Sequence, residues 1–194
     1  MKHRIFVVEA IGGSLLCGKT EELIRRLTRA RIAKQSVQVF KPCVDYRYSP
    51  AKVTSHSGFN FDAQPVEKSE EILQFLEPET TVVGIDETQF FDADIVGVVE
   101  TLARRNLRVI VSGLDTDFRG EPFGCMPELM ARAEFVDKLH AICMVCGETA
   151  SRTQRLVNGK PAHYDEPIVV IGANEMYEAR CRTHHEVPRG EYPR

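Results

Sequence analysis

Tryptophan is absent from this 194-residue chain, aromatic residues make up only 8% of it, and neither sign of charge dominates. Twenty-five Lys and Arg against 28 Asp and Glu leave a net charge of −3, which gives no support to a general nucleic-acid surface built on a basic patch or stripe. Long hydrophobic runs are missing as well: no apolar stretch approaches the roughly 20 residues that a membrane-spanning helix needs. The N-terminal MKHRIFVVEAIGGS starts like a signal peptide, but its apolar run is short and a glycine-rich turn follows. It reads as a first strand, and a cytoplasmic protein without a membrane or nucleic-acid partner is expected. In that compartment the six cysteines are expected as thiols or metal ligands, not disulfides. With 43% apolar and 27% charged residues, the chain is of globular composition and excludes wholesale disorder.

From Arg4 to about Ala141 short apolar runs alternate with helical patterns. Ile5–Val8, Val37–Phe40, Thr81–Ile85 and Val109–Val111 read as strands, the first ending in a Gly12-Gly13 turn, and Leu139–Ile142 as a fifth. A helix carrying Leu23, Leu27 and Ala30 on one face follows the first strand, and Ser69–Leu76, Asp92–Arg104 and Pro127–Phe135 read as further helices, the last with proline in its favoured first turn. Alternation of this kind predicts an α/β fold with a parallel sheet flanked by helices. The polar stretch Pro42–Pro65 has no period and reads as a functional loop. Beyond Cys143 the pattern changes to short strands and turns, with Asn158-Gly159 a strong hairpin signal between Arg152–Val157 and Pro161–Tyr164. The expected division is residues 1–142, residues 143–189, and a frayed tail at 190–194.

Gly13-Ser14-Leu15-Leu16-Cys17-Gly18-Lys19-Thr20 fits G-x-x-x-x-G-K-[ST], just after a strand and at the start of a helix. Its glycines let successive N–H groups turn inward on a polyphosphate, and the helix N-terminus adds the positive end of its dipole. Lys19 is expected to reach the β- and γ-phosphates of ATP and Thr20 to offer its hydroxyl to Mg²⁺. Asp86 and Glu87 close the third strand. There a carboxylate can hold Mg²⁺, and a second can take a proton from a hydroxyl poised for in-line attack. At the far end, Cys143-x-x-Cys146 and Cys181-x-x-His184, separated by 34 residues, have the donors of a closed tetrahedral zinc site. A redox C-x-x-C and free structural thiols are the competing readings. The fourth ligand is either His184 or His185, with the spacing favouring His184.

Six segments in this order, GSLLCGKTEELIRR, KPCVDYRYS, GIDETQFF, GLDTDFRGEPFG, CGETASRTQRL and VVIGANEMYEARCRTHH, resemble those of type II thymidine kinases across nearly the whole chain. The resemblance implies a P-loop ATP-binding domain and a small C-terminal zinc-containing lasso domain closing over the nucleoside. It implies Glu87 as the base at the thymidine 5′-hydroxyl, Asp86 as the magnesium-associated acid, and Asp45 and Arg47 as a loop near the phosphates. Phe90, Leu114, Phe118 and Phe123 are implied around base and sugar, together with Thr153 from the zinc-domain hairpin. Val170, Ile171, Gly172 and Tyr177 are implied in the lasso. A homotetramer inhibited by dTTP is implied too. The chain departs from the family inside the P-loop, where Ser14, Leu15, Leu16 and Cys17 replace the usual Pro, Met, Phe and Ser. Leu for Met conserves volume, so Leu15 is expected still to line the base pocket. Cys17, beside a helix N-terminus and Lys19, is expected to have a depressed pKa, to be alkylated readily, and to be protected by MgATP. Outside the resemblance, the competing functions are a P-loop ATPase or switch whose zinc ribbon binds nucleic acid or protein, and a zinc-stabilised interaction domain.

Overall fold

The computed structural model describes residues 7–43, 52–54, 60–169 and 175–190. Its centre is a six-stranded parallel sheet. Strand β1 (Val7–Gly13) leads into helix α1 (Lys19–Ile32), and β2 (Val37–Pro42) follows. A short antiparallel pair, β3 (Lys52–Thr54) and β4 (Asn60–Asp62), precedes β5 (Gln64–Val66) and the single-turn helix α2 (Glu71–Gln74). Next come β6 (Val82–Ile85), a 3₁₀ turn at Thr88–Phe90, α3 (Ile95–Arg104), β7 (Arg108–Ser112), α4 (Met126–Arg132) and β8 (Phe135–Leu139). The strand order is β5-β2-β6-β7-β1-β8, parallel at every pairing.

The order follows from burial. Val109 and Val111 of β7 face a core filled by Ile95, Val98, Val99 and Leu102 of α3 and Met126 and Leu129 of α4. Ile110, pointing the other way, meets Leu23, Leu27 and Ala30 of α1. Strands covered on both faces are largely apolar, as in Val82–Ile85, which is why they read as continuous runs. At Gly84 α1 approaches the sheet closely: a Cβ there would sit 3.0 Å from the Leu27 methyl carbons.

Beyond the sheet, β9 (Ala141–Ile142) pairs with β10 (Thr149–Ala150). Strand β11 (Arg152–Val157) lies between β12 (Lys160–Pro161) and β13 (Glu175–Arg180), antiparallel to both. The β11–β12 turn is Asn158-Gly159 with φ of 49° and 76°, the positive pair that a type I′ turn demands.

Several boundaries differ from the sequence reading. Gly12 and Gly13 are no turn: both belong to β1, paired with Lys138 and Leu139 of β8. The last α/β helix stops at Arg132, and Phe135 opens an edge strand instead. Residues 139–142 are not one strand: Leu139 ends β8 and Ala141 begins β9. Strand β8 escapes a burial pattern because Phe135 and Val136 remain 58% and 44% exposed. The helix expected over Ser69–Leu76 covers only Glu71–Gln74, and that over Asp92–Arg104 starts at Ile95. The stretch Pro42–Pro65 contributes β5, which pairs in parallel with β2, in addition to β3 and β4. In the tail expected to fray, 191–194 lie outside the described residues.

Candidate active site and metal centre

A parallel sheet delivers the C-terminal ends of its strands to one edge, and ligands of α/β sheets sit there. β1, β7 and β6 are neighbours, so the loop after Gly13, the Gly113-Leu114 step and the Asp86-Glu87 pair arrive side by side. Leu15, Leu16, Gly18, Lys19, Thr20, Asp86, Glu87, Gly113 and Leu114 line one cleft. Within the loop, Leu16 (φ 63°) and Gly18 (φ 86°) adopt left-handed backbone, curling the chain ahead of α1. Lys19 Nζ donates to the Ser14 carbonyl at 2.7 Å, which places the ammonium group on the inside of the curl.

Asp86 is 6% exposed. Burial, reinforced by the adjacent Glu87 charge, raises its pKa from 3.8 to about 7. The folded protein therefore keeps a proton on Asp86 through a window, about pH 4 to 7, in which the unfolded chain has lost it, and stability falls as pH rises through that window. Asp86→Asn is expected to raise the unfolding free energy of the ligand-free protein by a few kcal/mol at pH 8, read as a higher urea midpoint, and to leave it nearly unchanged below pH 4. Equal midpoint differences at both pH values would show that Asp86 does not titrate in this way.

Glu87 has φ 49° and ψ 39° and opens the 3₁₀ turn. Its Oε2 accepts a hydrogen bond from Gln89 Nε2 at 2.5 Å, and Gln89 Oε1 accepts one from the Leu114 N–H at 2.9 Å. No sequence signal marked Gln89, a buried polar residue inside a recognisable motif. Phe90 and Phe123 meet edge to face with centroids 5.6 Å apart. Phe118 is 3% exposed, with the guanidinium carbons of Arg119 and Arg155 at 5.4 and 5.2 Å from its ring centre. Arg155, also unmarked by the sequence and 1% exposed, donates to the Pro167 carbonyl at 2.5 Å and pairs with Glu166 at 3.2 Å. Tyr177 lies in β13 opposite Arg155. Asp45, Arg47, Val170, Ile171 and Gly172 lie outside the described residues.

Cys143, Cys146, Cys181 and His184 converge, with their ligand atoms all within 4.8 Å of one another. Cys146 and Cys181 sulfurs are 3.8 Å apart, and His184 Nδ1 is 3.2 and 3.8 Å from the sulfurs of Cys181 and Cys143. Tetrahedral zinc with Zn–S bonds of about 2.3 Å separates its sulfurs by about 3.8 Å, so the donors fit that ion. His185 is occupied elsewhere: its Nε2 donates to the Phe118 carbonyl at 2.8 Å, and burial lowers its pKa. The cluster is built on His184, as the spacing favoured.

This knuckle touches the phosphate loop. Cys17 packs on the small apolar cluster of Ala141, Cys143, Ala150 and Ala179, and the Leu15 N–H donates to Thr153 Oγ1 at 3.0 Å. The depressed Cys17 pKa expected from the sequence is not found. Burial outweighs Lys19, whose Nζ is 3.8 Å away, and the thiol is raised. A raised thiol pKa argues against the ready alkylation expected from the sequence.

A strand running into a curled glycine loop with lysine at a helix start, with paired carboxylates across one intervening strand, defines a P-loop nucleotide-binding protein arranged for phosphoryl transfer. The family model described as "Thymidine kinase" matches residues 7–185. The chain belongs to the thymidine kinase family, in agreement with the type II resemblance, and is a kinase that uses ATP.

Proposed function

We propose that the protein transfers the γ-phosphoryl group of ATP to the 5′-hydroxyl of thymidine, and of deoxyuridine, giving dTMP and ADP for pyrimidine deoxynucleotide salvage. The observation that carries this reading is the meeting of the Gly13–Thr20 loop with Glu87 in one cleft. In this reading Gly13, Ser14, Leu15, Leu16, Cys17, Gly18, Lys19 and Thr20 cradle the phosphates, and Asp45 and Arg47 add to the phosphate site. Glu87 takes the proton of the 5′-hydroxyl as its oxygen attacks the γ-phosphorus. The bond to the bridging oxygen breaks and ADP departs. Lys19 neutralises charge on the transferring group, and the chain's main contribution is alignment and charge neutralisation.

Thr20 and Asp86 would hold Mg²⁺, which when bound shields the phosphate charges. Asp86 suits this part: a buried carboxylate that holds a proton when empty is one a cation would ionise. Cys143, Cys146, Cys181 and His184 would hold structural zinc, leaving no open position for chemistry. Leu15, Phe90, Leu114, Phe118, Phe123 and Thr153 would enclose the nucleoside, with Val170, Ile171, Gly172 and Tyr177 closing over the base. A domain boundary near residue 142, a cytoplasmic homotetramer and inhibition by dTTP complete the proposal.

ADP release should be measured with thymidine, with single-stranded nucleic acid, and with neither. Thymidine-dependent release is expected. Stimulation by nucleic acid instead would support an ATPase with a zinc ribbon, and equal release in all three would defeat the kinase assignment.

A further inference from the structure

We propose that Gln89 is a positioning residue that holds the Glu87 carboxylate in its working orientation and, through its other end, fixes the main chain at Leu114. The inference rests on the reading of Glu87 as the base.

Three observations carry it. First, the amide is held at both ends. Leu114 N–H can only donate, so the Gln89 oxygen must face it, at 2.9 Å, and the NH₂ must face Glu87 Oε2, at 2.5 Å. No flipped amide satisfies both. One carboxylate oxygen is thereby occupied, leaving the other to accept a proton from substrate.

Second, Glu87 needs restraint. Its backbone is left-handed at φ 49°, and it directly follows the buried acid Asp86. A glutamate side chain free to rotate would turn away from a neighbouring acid. A buried donor (Gln89 is 3% exposed) prevents this. The Thr88 hydroxyl, donating to the Ile85 carbonyl at 3.2 Å, secures the turn between them.

Third, the surroundings are cut away to admit Gln89. A Cβ on Gly113 would come 2.4 Å from Gln89 Oε1, and one on Gly124, itself at φ +53°, 2.3 Å from the Gln89 carbonyl oxygen. Both glycines lie in segments that the Gln89 side chain and backbone cross at close range.

A double-mutant cycle on the full chain tests the inference. Gln89→Met keeps length and removes both hydrogen bonds. In the otherwise unchanged enzyme it is expected to lower kcat about 100-fold, the scale of a misplaced reacting group, with KM for ATP unchanged. In a Glu87→Gln background the same substitution should change kcat less than about threefold, because no base remains to be positioned. KM for the nucleoside should rise about tenfold in both backgrounds, since Leu114 loses its acceptor in either. Equal kcat losses in the two backgrounds would reduce Gln89 to a structural role, and near-normal kcat for Gln89→Met beside an inactive Glu87→Gln would overturn the inference while sparing the base. Normal turnover of Glu87→Gln would remove the base and this inference together. Should Gln89→Met fail to fold, Gln89→Asn, one methylene too short to hold Glu87 and Leu114 at once, is expected to give the same kcat pattern, and its failure to do so would count equally against the inference.

Discussion

Glu87→Gln is expected to lower kcat about 10³-fold, within the range by which a positioned general base accelerates proton transfer, while ATP affinity stays within about twofold. The substitution is nearly isosteric, and the new amide oxygen still accepts from Gln89 Nε2, which now stands 2.5 Å from Oε2. Geometry therefore survives and only proton acceptance is lost. ATP binding should be insensitive because the loop from Gly13 to Thr20 is held by its own curl and by Lys19 Nζ on the Ser14 carbonyl. Steady-state kinetics with a fluorescent ATP analogue for binding separates the two quantities. Turnover within threefold of the unaltered enzyme would mean that another group takes the proton.

The second large effect is expected from the metal centre. Cys146→Ser, or zinc stripped by a chelator, is expected to lower the melting temperature by about 10 °C or more, because metal binding in such knuckles is folding free energy. ATP affinity should fall about tenfold in the same sample. The reason is contact between the two sites: Cys17 rests on the apolar cluster that includes Cys143, with Cys181 packed against it, and Leu15 N–H is held by Thr153 of β11 at 3.0 Å. A loop that loses its footing loses the alignment of its N–H groups. Calorimetry and equilibrium nucleotide binding on the same preparations read both effects. Unchanged melting and unchanged affinity after verified metal removal would defeat this coupling.

Much of the site was legible in the sequence because its chemistry is local. Gly13 to Thr20 is a continuous loop, Asp86 and Glu87 end an apolar strand, and the members of the three-cysteine, one-histidine cluster come as two spaced pairs. The Asn158-Gly159 turn was legible for the same reason. What escaped depends on packing between distant segments. Strand β8 was split, Phe135 read as the end of a helix and Leu139 as the start of another strand, because an edge strand with Phe135 and Val136 in solvent has no burial rhythm to read. Gly12-Gly13 looked like a turn because flanking β8 and β7, which hold β1 in extended form, are more than 90 residues away. Cys17 was misjudged for an equally physical reason: helix terminus and lysine were visible, but the alanines that bury its thiol come from residues 141, 150 and 179. The part of Gln89 gave no signal, since one partner, Glu87, is brought to it by the folded turn and the other, Leu114, comes from beyond β7.

The left-handed backbone at Glu87 sets folding and turnover against each other at one codon. Such a conformation costs a residue with a side chain about 1–2 kcal/mol that glycine avoids. A library screened only for expression or heat resistance would drift toward glycine at 87 and accumulate sturdy, inert proteins. Screens meant to improve this enzyme must score phosphorylated product at every round, or they will discard the side chain proposed as the base.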